Sequence, residues 1–438
     1  NGEINIDGKS YPKDSWTNLP TNMLNSIPSR LHLQPDHPIS LTRSVIESFF
    51  PAQTFAYYNT FSPVVSTHQN FDSLGFPLNH PGRSKSDTYY VNSTAVLRTH
   101  TSAHQSDLFR ANRSQGYLIS ADVYRRDAID RSHYPIFHQM EGVRIWDRNA
   151  CTGGNISATV RKDTEKISKS NLIVSDQNHL AHPERNPIQN EHSHDEVEAV
   201  VAHLKRSLEF AIFGIFSRAV KPDTSLSPEL KYEPLKLRWI ESYFPFTSPS
   251  WELEIFWENK WLEVLGCGVV KQSILNQANV PHQMGWAFGL GLERISMLLF
   301  GIPDIRLFWC RDHRFLDQFK GLSKNLDKLN RFIPFSKYPG TYRDISFWIP
   351  STQSSADNHS NHATHENDIM QIVRDVAGDV VEDVSKIDEF MHSGTRRISW
   401  CYRVYYRSLE KTLTNTETNL LHESVKKELT KRLNIELR

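Results

Sequence analysis

The sequence is short of cysteine and has none of the spacings that cysteine-based sites require. Its four cysteines, Cys151, Cys267, Cys310 and Cys401, lie far apart, and no Cys-x-x-Cys pair occurs. Zinc knuckles and disulfide frameworks need closely or regularly spaced cysteines. Neither is predicted, and we expect unpaired thiols in a reducing compartment.

Two further absences limit the function. No run of about eighteen apolar residues occurs, so no membrane-spanning helix and no membrane partner are predicted. Neither sign of charge is in excess, because 50 Lys and Arg balance 50 Asp and Glu. Such a chain is not a broadly basic nucleic-acid coat, and any contact with RNA must come from a local basic patch.

The 438 residues, of which 38% are hydrophobic, suit two or three domains. Apolar residues at helical spacing predict helices, and short apolar runs between Pro, Ser and Asn predict strands. The predicted helices are Ile39–Phe50, Asp195–Val220 and Leu292–Phe300, and the predicted strands are Glu3–Ile6, Leu237–Ile240, Leu253–Phe256 and Trp261–Val270. Two polar segments, 148–195 and 351–368, interrupt this pattern, and the first is interpreted as an insertion or mobile loop.

The last hundred residues follow a different order of elements. Strand, helix, strand, strand and helix are predicted in turn at Ile345–Ile349, Ile369–Val376, Val380–Ile387, Ile398–Tyr406 and Glu417–Leu433. This order is typical of a small split β-α-β sandwich.

The first motif that could support chemistry runs from Asp122 to Glu141. A strand, a charged loop and a second strand would bring Arg125 and Phe137 to one site. Arginine binds phosphate in a bidentate manner, and an aromatic ring can stack on a nucleobase. Gln139 and Glu141, two residues apart, would point from one face of the sheet. Taken alone, such a cluster is more often a surface ion-pair network.

The second motif, Gly285–Phe300, contains Gly289-Leu-Gly291 directly before a predicted helix. It superficially suggests a dinucleotide-binding fingerprint, and hence a nicotinamide oxidoreductase, but Arg294 occupies the position of the third glycine. An arginine in the first turn of a helix would instead meet phosphate near the positive helix end. The alternative explanation is a tight strand-to-helix turn.

Together with four further segments, these motifs resemble the class II aminoacyl-tRNA synthetases, and specifically the phenylalanyl enzymes of organelles and their bacterial α subunits. The further segments are Phe71–Pro81, Leu97–Gln105, Tyr243–Thr247 and Trp261–Gly268, and the resemblance runs from about Phe61 to Arg438 except for the 148–195 insertion. It implies an α+β fold, with a class II antiparallel-sheet catalytic domain flanked by helices and a C-terminal ferredoxin-like α+β anticodon-binding domain. The implied division is 1–50 N-terminal extension, 51–305 catalytic domain, 306–334 linker and 335–438 anticodon-binding domain.

The resemblance also implies ATP as a substrate, Mg²⁺ as a cofactor and a set of site residues. Arg125 would hold the α-phosphate and the amino-acid carboxylate, Arg294 would lie against adenine and the γ-phosphate, and Glu263 would bind Mg²⁺. These three are the implied catalytic residues. The other implied ATP-binding residues are Ser132, His133, Tyr134, Phe137 and Phe288. The implied residues for L-phenylalanine are His100, Ser102, Ala103, His104, Gln105, Gln139, Met140, Glu141, Phe244, Phe246 and Ala287.

The same resemblance implies tRNA(Phe) as a partner and a monomer in the mitochondrial matrix. Candidate tRNA-binding residues are Arg343, Arg403, Tyr405 and Arg407, although residues 335–438 hold 14 Lys and Arg against 15 Asp and Glu. A solvated sheet face would explain these residues equally well.

Two alternatives differ in kind from an active synthetase. One is an RNA-binding relative that has lost catalysis, against which Arg125, Glu141, Glu263 and Arg294 argue because all are present. The other is a metal module at His192 and His194, for which a solvated loop is the commoner explanation. Since no editing domain is visible and an apolar pocket rejects an added hydroxyl poorly, measurable activation of tyrosine is also expected.

Overall fold

The chain folds into a large eight-stranded sheet flanked by helices and a smaller four-stranded sheet near the C-terminus. The computed structural model describes residues 2–151, 155–177, 181–219, 234–335, 338–349 and 366–438. The strands are β1 Glu3–Ile6, β2 Lys9–Pro12, β3 Phe55–Tyr58, β4 Val64–Ser66, β5 Tyr90–Asn92, β6 Ala95–Leu97, β7 Gly116–Tyr124, β8 Ile136–Asp147, β9 Leu172–Ser175, β10 Leu235–Glu241, β11 Thr247–Trp257, β12 Lys260–Val270, β13 Gln283–Gly291, β14 Thr341–Trp348, β15 Val381–Met391, β16 Ile398–Tyr406 and β17 Glu436–Leu437. The α-helices are α1 Thr21–Ser26, α2 Pro38–Glu47, α3 Thr67–Asn70, α4 Gln105–Ala111, α5 Ile156–Glu165, α6 His194–Phe216, α7 Gln272–Gln277, α8 Leu292–Phe300, α9 His313–Leu316, α10 Glu366–Ala377 and α11 Asn415–Leu433.

The large sheet has the strand order β3-β7-β8-β13-β12-β11-β10-β9. Its six central strands are antiparallel, which confirms the predicted antiparallel sheet, whereas β3 and β9 pair in parallel at the two edges. Because successive side chains on a strand point to opposite faces, the sheet has a face that packs on helices and a face that is open. The register places Gly289 opposite Glu141 on one side and Gly266 on the other.

Helices α2, α6 and α8 cover one face of this sheet. Ser193 begins α6 with a capping box to Glu196, which satisfies backbone N–H groups at the helix start. The apolar side of α6 then packs with Met140, Trp286 and Phe288 of the sheet in one buried cluster. This cluster is the main hydrophobic core, and it leaves the opposite face of the central strands free.

The expectation of a mobile loop at 148–195 is wrong for the described residues of that segment. Helix α5 buries Ile156 and Val160 in the main core, and β9 pairs with β10. Asn186 is buried, and its side chain donates to the carbonyl of Ser250 at 2.9 Å. His192 is buried as well, with Nε2 2.9 Å from Oε1 of Gln272. The polar composition of the 148–195 segment gave no sign of the short amphipathic helix α5. Residues 152–154 and 178–180 lie outside the described ranges.

The packing also bears on the proposed domain division. Val45 and Ile46 of α2 and Phe315 and Phe319 of the predicted linker are buried in the main core. We therefore propose that the large domain includes α2 and continues to about residue 335. Across the described ranges, no helix is long and apolar enough to cross a membrane.

The smaller sheet has the strand order β15-β16-β14-β17. Helices α10 and α11 pack on one face, where Phe347, Tyr402 and Val425 are fully buried. The predicted order of strand, helix, strand, strand and helix is confirmed. Residues 351–365 of the second polar segment lie outside the described residues.

The two sheets are joined through the loop between β7 and β8. Ile129 of this loop is buried in the core of the smaller domain, and its carbonyl accepts from the N–H of Val384 at 3.0 Å. Arg126 forms an ion pair with Asp368 at 2.9 Å. The loop is therefore fixed by both domains.

Candidate active site

A cavity of about 480 Å³ opens on the uncovered face of the large sheet. Strands β8, β12 and β13, the start of α8 and the loops before α4 and β11 all contribute to its wall. Sixteen of the residues predicted from sequence line it, namely His100, Ser102, Gln105, Arg125, Ser132, His133, Tyr134, Phe137, Gln139, Glu141, Phe244, Phe246, Glu263, Ala287, Phe288 and Arg294.

Small residues keep this face open. Ala287, Gly289 and Gly291 alternate along β13, and a Cβ atom added at either glycine would meet nothing within 4 Å. On β12, a Cβ atom at Gly266 would lie 2.5 Å from Cζ of Phe244. Glycine is therefore needed at Gly266 for the Phe244 ring to approach the sheet, while Gly289 and Gly291 leave room for a ligand.

Glu141 is a buried carboxylate without a cationic partner in the described residues. It accepts a hydrogen bond from the Ser102 hydroxyl and one from Nε2 of Gln105 at 3.1 Å. Burial raises the pKa of Glu141 to about 7, although these hydrogen bonds oppose the shift. A carboxylate in this environment is suited to bind an ammonium group from a ligand.

Further polar atoms converge beside Glu141. Both ring nitrogens of His100 and Oε1 of Gln105 are buried and have no hydrogen-bond partner among the described residues. Burial and the nearby Arg125 lower the pKa of His100 to about 3, which leaves its ring neutral. Gln139 accepts from the backbone N–H of Thr101 at 3.3 Å, so its carboxamide nitrogen is available to a ligand. These groups match the polar end of an amino acid.

Aromatic side chains form the adjoining part of the cavity. The rings of Phe244 and Phe246 lie 6.1 Å apart at 19°, and Phe76 lies 6.4 Å from Phe246 and 5.6 Å from His100. Ala287 lies below them among buried apolar residues. The arrangement forms a flat slot suited to an aromatic ring.

Two arginines face the other end of the cavity. Nε of Arg125 donates to the carbonyl of Thr99 at 2.8 Å, and its guanidinium lies 5.2 Å from the ring centre of Phe137. No ion pair to Arg125 occurs among the described residues, so its terminal nitrogens can bind an anion. Arg294, in the first turn of α8, donates to the carbonyl of Glu263 at 3.1 Å.

Glu263 is the carboxylate that the resemblance assigns to Mg²⁺. Its carboxylate is half-exposed and lies 3.9 Å from Nη1 of Arg294. Burial and the neighbouring Glu252 raise the pKa of Glu263. No cluster of three or more His, Cys, Asp or Glu side chains suited to a metal occurs in the described residues. A single carboxylate nevertheless suits Mg²⁺ that is bound mainly by phosphate oxygens.

Three residues predicted to bind ligand, Ala103, His104 and Met140, do not line the cavity, and the ring of a fourth, Phe288, packs in the main core. Met140 is fully buried in the main core because it lies one residue from Gln139 and Glu141 and so faces the helices. Phe288 lines the cavity while its ring packs on Phe50 at 5.4 Å in that same core, and its closeness to the nucleotide stays a prediction. His104 stacks on Phe61 at 4.3 Å behind the site, and Ala103 is buried nearby. These corrections follow from side-chain direction.

The structure adds cavity residues that the sequence did not single out. The most informative are Phe76, Thr101, Asp127, Gly266 and Glu293. Phe76 and Gly266 belong to segments already noted for their resemblance. Since side chains alternate along a strand, the position of Gly266 in β12 could have been used to predict that it faces the cavity. Glu293 has no local signal, because its partner is 155 residues away.

The tRNA-binding candidates divide into two pairs. Arg403 and Tyr405 lie on the face of the smaller sheet opposite its helices, where Arg403 pairs with Asp344 at 2.8 Å. Arg343 instead donates to Asn419 of α11 at 2.7 Å, and Arg407 donates to the carbonyl of Tyr338 at 3.0 Å. Arg403 and Tyr405 therefore share the open face, whereas the guanidinium of Arg407 is bound by the buried Glu382 at 3.2 Å.

Comparison with known proteins agrees with the fold and the cavity. The family described as tRNA synthetases class II core domain (F) matches residues 24–227 and 224–319, and the ferredoxin-fold anticodon binding domain matches residues 336–438. The antiparallel sheet and its open-face cavity thus define a class II aminoacyl-tRNA synthetase.

Similar proteins identify the family within this class. The mitochondrial phenylalanine–tRNA ligase of Saccharomyces cerevisiae is 45% identical over 99% of this chain and 95% of its own length. The mitochondrial enzyme of Mus musculus is 42% identical over 99% of this chain and 88% of its own. The phenylalanine–tRNA ligase α subunit of Pseudoalteromonas atlantica is 33% identical over 65% of this chain and 68% of its own. The chain belongs to the phenylalanine–tRNA ligase family.

Proposed function

We propose that this protein joins L-phenylalanine to tRNA(Phe), with ATP as the energy source, in mitochondria. The observation that supports this function best is the division of one cavity into three parts. It combines a buried carboxylate that has no cationic partner among the described residues, an aromatic slot, and two arginines, one just after β7 and one in α8. An amino acid with an aromatic side chain and a nucleoside triphosphate match these parts in charge and shape.

The first step would form phenylalanyl-adenylate. The carboxylate oxygen of phenylalanine attacks the α-phosphorus of ATP, and the bond from that phosphorus to the pyrophosphate oxygen breaks. Arg125 would neutralise charge on the α-phosphate, while Glu141 would hold the ammonium group and the carboxamide nitrogen of Gln139 would donate to the amino-acid carboxylate. Phosphoryl transfer depends mainly on positioning and charge stabilisation, so no strong protein base is assigned.

The nucleotide would lie between β8 and the start of α8. Phe137 offers a ring for adenine, and Arg294 would face it from the other side. We propose Glu263 as the Mg²⁺ ligand, with Ser132, His133 and Tyr134 near the triphosphate. The hydrogen bond that Nδ1 of His133 donates to the Asp130 carboxylate raises the pKa of His133, which favours the cationic form that a phosphate would attract. Bound Mg²⁺ would neutralise charge on the phosphate oxygens.

Amino-acid-dependent exchange of pyrophosphate into ATP tests this function directly. All twenty amino acids would be compared, and phenylalanine should give the highest rate. Arg125→Ala should reduce that rate by about 100-fold or more, as expected for loss of a charged group at the transition state. No exchange by the folded unmodified chain would favour the non-catalytic RNA-binding alternative.

The aromatic slot also predicts detectable exchange with tyrosine. Apart from Thr247, the residues that line it near Phe244, Phe246 and Ala287 are mainly apolar. An apolar pocket discriminates against an added hydroxyl by only about 100-fold. A tyrosine-dependent rate equal to the rate without amino acid would contradict this expectation.

We further propose that the open face of the smaller sheet contacts tRNA and that the protein is a monomer. The Arg403 guanidinium lies 4.2 Å from the ring centre of Tyr342, and the rings of Tyr342 and Tyr405 lie 5.6 Å apart. At the far end of this face, Arg438 lies over Phe390 at 4.8 Å and over Trp348 at 5.3 Å. Exposed aromatic rings beside arginine are suited to unpaired bases.

The affinity of variants for tRNA(Phe) can show whether the open face of the smaller sheet or the side covered by its helices binds the tRNA. Trp348→Ala should weaken binding by about 1–3 kcal/mol, the usual contribution of one stacked base. Arg343→Ala is a matched control because Arg343 faces α11. Equal losses in both variants would argue against the open face as the binding surface. Size-exclusion chromatography with light scattering would test the monomer.

A further inference from the structure

Glu293 and His138 form a buried contact between the two halves of the nucleotide site. Oε1 of Glu293 accepts from Nδ1 of His138 at 2.7 Å, and Oε2 accepts from the backbone N–H of His138, also at 2.7 Å. The side chains are 4% and 0% exposed. Both carboxylate oxygens are therefore engaged with one residue of β8.

The contact continues the sheet where its backbone ladder stops. The pairing of β13 with β8 ends at Gly291 and Gln139, and α8 begins at the next residue. The following pair would place residue 292 opposite His138, but the chain is already helical there. The Glu293 carboxylate thus takes up the N–H of His138 in place of a strand carbonyl, which a buried N–H group requires.

The neighbours of this pair are the residues that face the nucleotide. His138 follows Phe137 on β8, and Glu293 precedes Arg294 on α8. Because His138 points to the helix face, Phe137 points into the cavity, where Arg294 also lies. The contact between His138 and Glu293 therefore connects the strand that carries Phe137 to the helix that carries Arg294.

Aromatic rings hold His138 in place. Its ring lies 5.1 Å from His32 and 6.1 Å from Trp309, with 23° between the planes of His138 and Trp309. Trp309 in turn stacks on Tyr134 at 5.3 Å. The imidazole has little freedom to follow a displaced partner.

We propose that Glu293 is a positioning residue that, through His138, sets the spacing of the adenine clamp formed by Phe137 and Arg294. The inference rests on the proposed adenylation function but concerns residues that do not themselves bind the nucleotide. In this role Glu293 acts by geometry, since its oxygens are already occupied. A direct Mg²⁺ ligand would instead require its negative charge.

Steady-state pyrophosphate exchange with each substrate varied separately tests the proposal. Glu293→Ala should reduce kcat/KM for ATP by about 10- to 100-fold, because small misplacements of binding groups have effects of this size. The KM for phenylalanine should not change. Glu293→Gln should keep most of the activity, since an amide can accept from the His138 N–H and donate to a ring nitrogen. If Gln reduces activity as much as Ala, the charge is what matters and the proposal fails.

A double-mutant cycle gives the decisive comparison. If Glu293 acts through Arg294, adding Glu293→Ala to Arg294→Ala should cause little further loss. Equal losses with and without Arg294 would overturn the proposal. Ser296→Ala is the matched control, because Ser296 lies on α8 with its hydroxyl 2.5 Å from that of Thr42 and does not line the cavity. If the KM for ATP rises as much in Ser296→Ala as in Glu293→Ala, the effect is explained by loosening of α8. That result would also contradict the proposal. Exchange by the unmodified chain tests adenylation separately.

Discussion

The two faces of the central strands differ in their side chains, although residues of the two faces alternate along the same sequence. One face carries large apolar side chains, and the other carries small and polar residues. On the helix face, Met140, Trp286 and Phe288 are buried in the main core. On the site face, Gln139 and Gly289 border open space. One strand can therefore contribute to stability and to ligand binding at once, with neighbouring residues assigned to different tasks.

Two buried carboxylates on adjacent strands also differ between the two faces, in this case in their pairing with a cation. Asp122, on the helix face, pairs with the buried Arg98 at 2.7 Å. Although burial opposes it, this guanidinium holds the pKa of Asp122 at about 2. Glu141, on the site face, has no such cation and has a pKa of about 7. A buried charge without its counterion is unstable by itself, so the difference indicates where a charged ligand binds.

The largest effect that would sharpen this contrast is expected from Gly289→Val. A Cβ atom at this position would meet nothing within 4 Å among the described atoms, and the backbone is not in the left-handed region that favours glycine. Valine also favours strands. We expect the midpoint of urea unfolding to stay unchanged while kcat/KM for ATP falls by about 100-fold, because the side chain occupies space needed by the nucleotide. Unchanged kinetics would mean that the nucleotide does not approach β13.

Gly142→Ala is the matched change on the helix face and should have the reverse effect. A Cβ atom there would lie 2.2 Å from Cε1 of Phe288 and 2.8 Å from Cδ2 of Leu118. We expect the free energy of unfolding to fall by about 1–3 kcal/mol, as for other overpacked cores. The KM values of the protein that remains folded should not change. A selective rise in the KM for ATP would show that the two faces are not independent.

Local pattern predicted several of the elements, although not α5 or β9, and it did not give the direction of every side chain. The strand-to-helix junction after Gly291 and the shared face of Gln139 and Glu141 follow from spacing alone. Likeness to a motif, in contrast, assigned Met140 and Phe288 to the ligand although alternation places both behind the sheet. Contacts between distant segments, such as Glu293 with His138, depend on the assembled sheet and leave no local signal.

The next expected effect concerns pH and compares Glu141 with an uncharged substitute. If ionised Glu141 binds the ammonium group, kcat/KM for phenylalanine should fall about tenfold per pH unit below pH 7 and level off above it. In Glu141→Gln the value should be low at every pH and lack this step. His133, whose pKa is raised, should affect ATP instead. A step near pH 7 that persists in Glu141→Gln would therefore assign the titration to another group.

Protein stability should show the same titration with a defined sign. The folded chain holds the Glu141 proton up to pH about 7, whereas an ordinary glutamate loses it near 4.5. Between these values the folded state binds more protons than the unfolded state, so the free energy of unfolding should decrease as pH rises, then level off. Glu141→Gln should lack this part of the slope, and saturating phenylalanine should offset the loss above pH 7 by supplying the missing cation. If phenylalanine stabilises both forms equally across this range, its ammonium group is bound elsewhere, and the contrast between Glu141 and Asp122 reflects packing alone.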